Sequence, residues 1–260
     1  LGIVGTGPGG LVTKGDVEEA AGGQGATAAR EARPPQAREP REAMRRAIAA
    51  AMTRSNREIP HYYLSTTTSA RSALRWLGDR NAQRPPADRL IAVSLFVKAV
   101  ALALRDFPEL NGHWVDDAFH PADGVHPGIA ISLKGGGLVA PAIRDAGGRS
   151  LEDLSTAITD LVRRARSGRL RGSEMTDPTI TVSSLGDRGV DTLFGVIYPP
   201  QVALVGVGRI AERPWAEEGM LGVHPVVNLS LSADHRASDG HRGALFLDTV
   251  AELIQHPEDL

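Results

Sequence analysis

A strand pattern that changes abruptly into a helix pattern near the C-terminus constrains the fold of this chain most. From Pro225 to Ala233 apolar and polar residues alternate, which is typical of a β-strand. The residues expected to face one side are Val227, Leu229 and Leu231, and those expected to face the other are Asn228, Ser230 and Ser232. After Gly240 apolar residues recur at helical spacing. The expected helical stripe is Ala244, Leu247, Val250, Ala251 and Ile254. The sequence therefore predicts a strand that turns sharply and continues as a helix.

The predicted corner carries a histidine and a carboxylate four residues apart, His235 and Asp239. At the end of a strand a side chain can project into a cleft. A neutral imidazole there can accept a proton from a thiol or a hydroxyl near neutral pH. The spacing also suits a histidine that is merely satisfied by a carboxylate at the start of a helix. The corner by itself leaves both interpretations open.

The amino-acid composition excludes several classes of binding partner and of reacting group. The 260 residues are 42% hydrophobic and 23% charged, with a net charge of -2, so we expect a globular protein that binds neither nucleic acid nor membrane. The longest apolar run, Leu90 to Leu104, is short for a membrane span and contains Lys98, which favours a buried helix. There is no cysteine, so any reacting thiol must come from a substrate. No secretory signal is visible, and we expect a cytoplasmic location.

The N-terminal region contains a glycine pattern that imitates a dinucleotide-binding fingerprint. Gly5, Gly7 and Gly10 have the G-x-G-x-x-G spacing, but the sequence that follows lacks the second strand of a βαβ unit. Residues 22–40 are rich in Ala, Gly, Gln, Arg and Pro and cannot bury a core, so they predict a flexible linker.

From Arg41 onward helix and strand patterns mix around what we expect to be one large core, which predicts an α/β or α+β sandwich. The expected helices are Arg41–Asn56, Ser69–Gly78, Asp88–Asp106 and Leu151–Ser167. The expected strands are His61–Thr68, Val115–Phe119, Gly128–Leu133, Leu138–Ile143, Thr179–Leu185 and Gln201–Val207. Ser150 predicts the start of one helix and Gly168 its end. The run Gly135–Gly137 predicts a hairpin turn.

The corner segment Asp234-His235-Arg236-Ala237-Ser238-Asp239-Gly240 resembles the His-x-x-x-Asp-Gly motif of acyltransferases related to chloramphenicol acetyltransferase. Its form is that of the catalytic domain in E2 components of 2-oxoacid dehydrogenase complexes. Further segments match this family in order: Arg57–His61, Pro108–Asn111, Gly128–Ala130, Gly137–Asp145, Thr181–Gly186 and Pro199–Ala203. The resemblance implies a chloramphenicol acetyltransferase-like α/β sandwich, with a mixed sheet and flanking helices, that forms trimers. The sequence does not decide between a trimer and a larger core of 24 or 60 copies.

The segment Gly5–Val17 resembles the C-terminal half of a peripheral subunit-binding domain, which in E2 proteins docks the E1 or E3 enzyme. The expected organisation is therefore the end of that domain at 1–21, a linker at 22–40 and a catalytic domain at 41–260. The only lysines, Lys14, Lys98 and Lys134, do not lie in a hairpin suited to lipoylation, so the lipoyl group is expected on a domain that this chain lacks.

The resemblance implies transfer of an acyl group between the lipoyl thiol of S-acyl-dihydrolipoamide and coenzyme A. His235 would remove the thiol proton, Ser183 would stabilise the oxyanion, and Asp239 would fix the corner. His235 and Ser183 would meet across a subunit boundary. Two substitutions depart from the common pattern, Ser184 in place of asparagine and His241 in place of alanine. They leave the acyl group, whether acetyl, branched-chain or succinyl, undecided, and no coenzyme-A-binding residue is identified.

Two other functions stay open at this point. One is a free-standing O-acetyltransferase of the chloramphenicol acetyltransferase type, and the other is a non-catalytic E2-like scaffold. A metal site is not expected, because His113, His120 and His126 lack the spacing of a ligand set. His241 is expected to face solvent on the first helical turn. Without the resemblance, Ser183 would be read as a serine that caps its own backbone.

Overall fold

The structure is a computed structural model that describes Thr6, Gly7, Val12 and residues 39–133, 136–186, 189–217 and 219–260. The chain divides into two compact units, Leu1–Arg45 and Arg46–Leu260. Most of the predicted subunit-binding segment and linker lies outside the described residues. The expected boundaries at residues 21 and 40 therefore stay predictions.

The described residues form six α-helices. They are α1 (Glu39–Glu58), α2 (Arg71–Ala82), α3 (Ala92–Ala103), α4 (Leu151–Arg166), α5 (Gly172–Thr176) and α6 (Gly240–Gln255). The caps predicted for α4 are confirmed. The Ser150 hydroxyl accepts a hydrogen bond from Asp153 N at 3.1 Å, and Gly168 has a left-handed φ of 70°.

A six-stranded mixed sheet forms the centre of the larger unit, with strand order β1-β10-β8-β7-β4 and β9 paired to β10. Its strands are β1 (His61–Ser69), β4 (Pro127–Ile129), β7 (Ile180–Ser184), β8 (Ala203–Val207), β9 (Ala211–Glu217) and β10 (Met220–Asp234). Two small hairpins complete the strands: β2 (Gly112–Val115) with β3 (Ala118–Pro121), and β5 (Ile131–Ser132) with β6 (Leu138–Val139). The second hairpin confirms the predicted turn, of which Gly135 lies outside the described residues.

The two faces of the sheet differ in what covers them. Helix α6 packs on β1 and β10, and α3 lies between α6 and α4, so the helices build the apolar core on one face. On the other face the loop after β7 lies over the sheet: Ser230 donates a hydrogen bond to Leu193 O, and Asn228 Nδ2 to Thr192 Oγ1 at 2.7 Å. A Cβ at Gly206 would collide with Ser230 Oγ and Leu193 O, so glycine is required for this close approach.

The buried helix predicted around Lys98 is confirmed but is shorter than expected. It starts at Ala92, because Pro86–Asp88 forms a 3-10 turn and Ile91 has an extended backbone. Lys98 is only 7% exposed, and its ammonium donates hydrogen bonds to Gly147 O at 2.8 Å and Arg149 O at 2.5 Å. No helix in the described parts of the chain combines the length and the apolar character that a membrane crossing requires.

Three predictions of local structure differ from the structure, in different degrees. The strand expected at Val115–Phe119 is a hairpin, because Asp116 and Asp117 have left-handed φ angles of 51° and 58° and reverse the chain. The strand predicted at Pro225–Ala233 is confirmed as part of β10, which is longer than expected and is buried on both faces along its second half. The helical stripe of α6 is displaced: Ala244 is exposed. The buried residues are Gly243, Phe246, Leu247, Val250 and Ile254.

Candidate active site

The corner after β10 is built by backbone hydrogen bonds. Asp234 N donates to Val202 O at 2.8 Å, and His235 N donates to Pro60 O at 3.0 Å. Within the turn, Ala237 N and Ser238 N both donate to Asp234 O, at 3.0 and 3.1 Å. The strand therefore ends at Asp234, and the chain turns tightly before α6 begins.

The His235 imidazole is exposed in the single chain and contacts the edge of the Tyr62 ring, with centroids 5.3 Å apart at 68°. The Tyr62 hydroxyl forms a hydrogen bond of 2.9 Å with Ser238 Oγ. Burial raises the pKa of Tyr62 above its usual value, so the phenol stays neutral at physiological pH. An exposed imidazole held against an aromatic edge is available to accept a proton from a substrate.

The residues on either side of His235 form an ion pair. The Asp234 carboxylate is fully buried, and Arg236 donates to it from its backbone N at 2.9 Å, from Nε at 2.9 and 3.1 Å and from Nη2 at 2.7 Å. This fork geometry is the strong form of the arginine–carboxylate pair. The backbone of His235 is thus held between two linked side chains.

Asp239 lies at the N-terminus of α6 and caps it. Its carboxylate accepts a hydrogen bond from Arg242 N at 3.0 Å, and this bond is the main reason that the pKa of Asp239 is lowered; the charges of His241 and His235 lower it further. Among the described residues no hydrogen bond joins Asp239 to the His235 ring. The expectation that Asp239 fixes the corner thus has a geometric basis, as a helix cap and not as a direct partner of the imidazole.

Ser183 lies near the end of β7, where the structure leaves its hydroxyl unbonded. The residue is 9% exposed, and its Oγ has no hydrogen-bond partner within the described chain. The neighbouring Ser184 makes the local backbone contact instead, because its Oγ accepts from Gly186 N at 3.3 Å. A free hydroxyl on a rigid strand can donate to a developing oxyanion.

The structure does not bring Ser183 and His235 together within one chain. Ser183 pairs with Gly206, and Gly206 pairs with Ser230, which lies five residues before His235 on the same strand. The path from Ser183 to His235 crosses two strand spacings and then runs along five residues. Together these steps separate the two positions by about 20 Å.

A groove of about 480 Å³ opens beside Ser183, at the carboxyl ends of the parallel strands β4 and β7. Most of its wall is aliphatic: Ile91, Val93, Ile129, Ala130, Ile131, Leu138, Ile158, Val162, Val182 and Leu185. Along α4 the lining extends from Ile158 to Arg166, about 12 Å at the rise of a helix. Among the described residues of this lining, Arg166 is the single cation. The groove suits an extended apolar chain.

The remaining histidines have other contacts. His113 Nε2 lies 3.0 Å from Pro178 O, and His126 Nδ1 accepts from Asp145 N at 3.1 Å. His241 is exposed on the first turn of α6, as predicted. In the part of the chain that the structure describes, no cluster of three or more His, Asp or Glu side chains could hold a metal ion.

No sequence motif marks Tyr62 or Trp114 as parts of the corner. Tyr62 contacts the His235 ring, and the Trp114 ring lies 4.4 Å from the Arg236 guanidinium carbon. Both are far from the corner in sequence, so local periodicity carries no signal for them. The alternation in β1 predicts only which side of the strand Tyr62 faces.

Comparisons with known proteins identify the family of this chain. Residues 33–260 match the model of the family described as 2-oxoacid dehydrogenases acyltransferase (catalytic domain). A lipoamide acyltransferase component of the branched-chain alpha-keto acid dehydrogenase complex from Pseudomonas aeruginosa is 38% identical over 84% of this chain and 51% of its own length. A dihydrolipoyllysine-residue acetyltransferase component of the pyruvate dehydrogenase complex from Rickettsia bellii is 31% identical over 98% of this chain and 62% of its own.

Solved structures show the same fold. A probable dihydrolipoamide acetyltransferase from Listeria monocytogenes matches with a TM-score of 0.76 and 33% identity, over 82% of this chain and 91% of that one. The dihydrolipoamide acetyltransferase of Azotobacter vinelandii matches with a TM-score of 0.77 and 26% identity, over 82% and 88%. The chain spans about half to two thirds of the length of the curated relatives it matches.

Proposed function

The chain belongs to the family of 2-oxoacid dehydrogenase acyltransferase catalytic domains, and we propose that it transfers an acyl group between the lipoyl thiol of S-acyl-dihydrolipoamide and coenzyme A. Coenzyme A is a substrate in this proposal, and the lipoyl group arrives on another domain. The lipoyl and coenzyme A thiols supply the sulfur chemistry that a chain without cysteine cannot supply itself.

One observation carries the proposal. The Azotobacter study concerns the roles of a serine, a histidine and an asparagine in the catalytic mechanism of that enzyme, and its numbering puts the serine 52 residues before the histidine and the asparagine four residues after it. Ser183, His235 and Asp239 have the same two spacings here. The residue types agree except that aspartate stands in place of asparagine. The free hydroxyl of Ser183 and the exposed imidazole of His235 suit such roles.

The proposed reaction needs one base and one oxyanion donor. The His235 imidazole removes the proton from the coenzyme A thiol, and the thiolate attacks the carbonyl carbon of the lipoyl thioester. The Ser183 hydroxyl donates a hydrogen bond to the oxyanion that forms, a contribution of about 3 kcal/mol to the transition state. When the intermediate collapses, the bond to the lipoyl sulfur breaks, and the imidazolium returns the proton to that sulfur.

The separation of about 20 Å within one chain supports a site shared between subunits, because a base and an oxyanion donor must both contact one thioester. We therefore propose a homotrimer in which His235 of one subunit faces Ser183 of the next. One of the similar solved structures is the cubic core of a pyruvate dehydrogenase multienzyme complex. This similarity supports assembly beyond the trimer.

The aliphatic groove beside Ser183 supports a thioester substrate with a long arm, since the lipoyl arm is extended and largely apolar. Docking of E1 and E3 through the segment Gly5–Val17 stays a prediction, because that segment lies almost entirely outside the described residues. The cytoplasmic location expected from the sequence also stays a prediction.

An acyl-transfer assay tests the proposal against its two rivals. The purified chain is given acetyl-, isobutyryl- or succinyl-coenzyme A with dihydrolipoamide, and in parallel with chloramphenicol as an alcohol acceptor. We expect transfer to dihydrolipoamide that is lost in His235→Ala and kept in the neighbouring control His241→Ala. Transfer to the alcohol alone would favour the O-acetyltransferase, and no transfer to either acceptor would favour the scaffold.

A further inference from the structure

The ion pair beside His235 is covered by an aromatic ring from a distant part of the chain. One face of the Arg236 guanidinium lies over Trp114, with the guanidinium carbon 4.4 Å from the ring centroid, while its edge donates to the buried Asp234 carboxylate. Arg236 is therefore held on its edge by a charge and on its face by a π-system. Both contacts restrict the backbone segment to which His235 belongs.

The hairpin that carries Trp114 is held in place on several sides. Trp114 N donates to Pro200 O at 2.8 Å, and Gly112 N donates to Thr179 O at 3.1 Å. His113 Nε2 lies 3.0 Å from Pro178 O. Three consecutive residues of β2 thus contact the segments that flank β7 and β8. These contacts with the central sheet fix the position of the Trp114 indole, and the exposed tip of the hairpin does not.

An aromatic cover strengthens an ion pair for two reasons. It excludes water, and the Coulomb attraction between two charges rises as the surrounding dielectric constant falls. It also attracts the cation through the ring quadrupole. The Asp234 carboxylate is fully buried, so water can reach the ion pair only from the side of the Arg236 guanidinium. Trp114 covers one face of that guanidinium.

The His235 imidazole needs this support because its own contacts are few. Its ring contacts the edge of Tyr62, and its backbone N bonds to Pro60 O at 3.0 Å. The direction of the ring thus depends on the backbone between Asp234 and Arg236. A displacement of about 1 Å in a catalytic group can lower a rate by about 100-fold.

We propose that Trp114 is a positioning residue for the reaction, which holds the His235 imidazole in place by covering the Arg236–Asp234 ion pair. The proposal rests on the function proposed above. It adds that a residue of the β2–β3 hairpin, which contacts neither the imidazole nor the thioester carbonyl, determines the turnover number.

The experiment compares Trp114→Leu, which keeps an apolar side chain without a π face, with Trp114→Phe, which keeps the π face. Trp114→Ala serves as a third variant where the leucine variant does not fold. The matched control is Trp76→Leu, because Trp76 also stacks on an arginine, Arg80 at 4.7 Å, but on helix α2. Acyl transfer between acetyl-coenzyme A and dihydrolipoamide is measured at 0.05 and 0.5 M NaCl.

We expect Trp114→Leu to lower kcat by about 10- to 100-fold with KM within twofold, because the histidine and not the substrate site is displaced. The loss should deepen at least threefold at the higher salt concentration, because an uncovered ion pair is screened. The kcat of Trp114→Phe should stay within about threefold of that of the parent chain, and so should the kcat of Trp76→Leu. A leucine variant with unchanged kcat, or a phenylalanine variant as impaired as leucine, would overturn the proposal.

A second readout does not depend on activity. Diethyl pyrocarbonate modifies accessible imidazoles, and peptide mass spectrometry gives the ratio of the His235 rate to the rate of exposed His241. We expect this ratio to change at least threefold in Trp114→Leu and to stay unchanged in Trp114→Phe. If the parent chain transfers no acyl group, the proposed function fails, and this ratio still decides whether Trp114 positions His235. An unchanged ratio in the leucine variant would overturn the positioning role.

Discussion

The two candidate catalytic residues lie in regions that are built in opposite ways. The His235 corner presents an exposed imidazole, and everything around it is bonded: the backbone to Pro60 and Val202, and the neighbouring Arg236 to Asp234. Ser183 instead lies near the end of β7, an inner strand of the sheet, with an unbonded hydroxyl beside an aliphatic groove.

The difference follows from what each group would do. A general base exchanges protons and must reach its substrate, so it is exposed and needs support from its surroundings. An oxyanion donor works best where water is excluded and where a rigid backbone already aims it. The same sheet provides both conditions at positions about 20 Å apart.

Replacing the base is the most severe test of this comparison. We expect His235→Ala to lower kcat for acyl transfer by about 1,000-fold, because no other described group can accept the thiol proton at that place. The melting temperature should not fall, since the side chain is exposed. His241→Ala is the control and should keep its activity. A fully active His235→Ala protein would contradict the assigned base.

Replacing the oxyanion donor should have a smaller effect. We expect Ser183→Ala to lower kcat by about 100-fold, because one preset donor is lost while the base remains. Ser184→Ala is the matched control, since its hydroxyl bonds only to Gly186 N. Equal losses in both variants, measured in the same assay, would mean that the strand end and not the Ser183 hydroxyl is needed.

Mixing the two inactive variants tests whether His235 and Ser183 act within one subunit or across a subunit interface. His235→Ala and Ser183→Ala subunits refolded together at equal concentration should form mixed trimers with about a third of the parent activity, because one of the three interfaces in each mixed trimer pairs an intact histidine with an intact serine. The measurement is acyl transfer by mixed trimers isolated with two affinity tags. No recovery in such trimers would place both residues in the site of one subunit.

The smallest effect is expected at the helix cap. Asp239→Ala should lower the melting temperature by about 2–5 °C, because Arg242 N loses its acceptor, and Asp239→Asn should largely retain stability since asparagine also caps helices. The pKa of Asp239 is lowered in the folded chain, so its contribution is complete above the unfolded pKa of about 4. It is lost as pH falls through the folded pKa. A melting curve of the alanine variant with an unchanged pH dependence between pH 2 and 5 would contradict this role.

Much of the architecture could be predicted from local sequence patterns. The caps of α4, the strand at His61 and the buried helix around Lys98 follow from spacing and residue type within one element. What these patterns do not record is set by contacts between distant residues. The alternation in β10 predicts that Ser230 and Ser232 share one face, and only the structure shows that this face is covered: both serines are buried, and Ser230 donates to Leu193 O in the loop after β7.

The residue pattern alone indicates which groups are available: a histidine at a strand-to-helix corner, a carboxylate that can cap the following helix and a serine at the end of a short strand. By resemblance it also indicates the family to which they belong. Three features are visible only in the folded chain: Ser183 and His235 lie far apart, a groove opens beside the serine, and Trp114 covers Arg236. The physical reason is that strand order, register and hairpin packing depend on contacts between residues far apart in sequence, which local periodicity does not record.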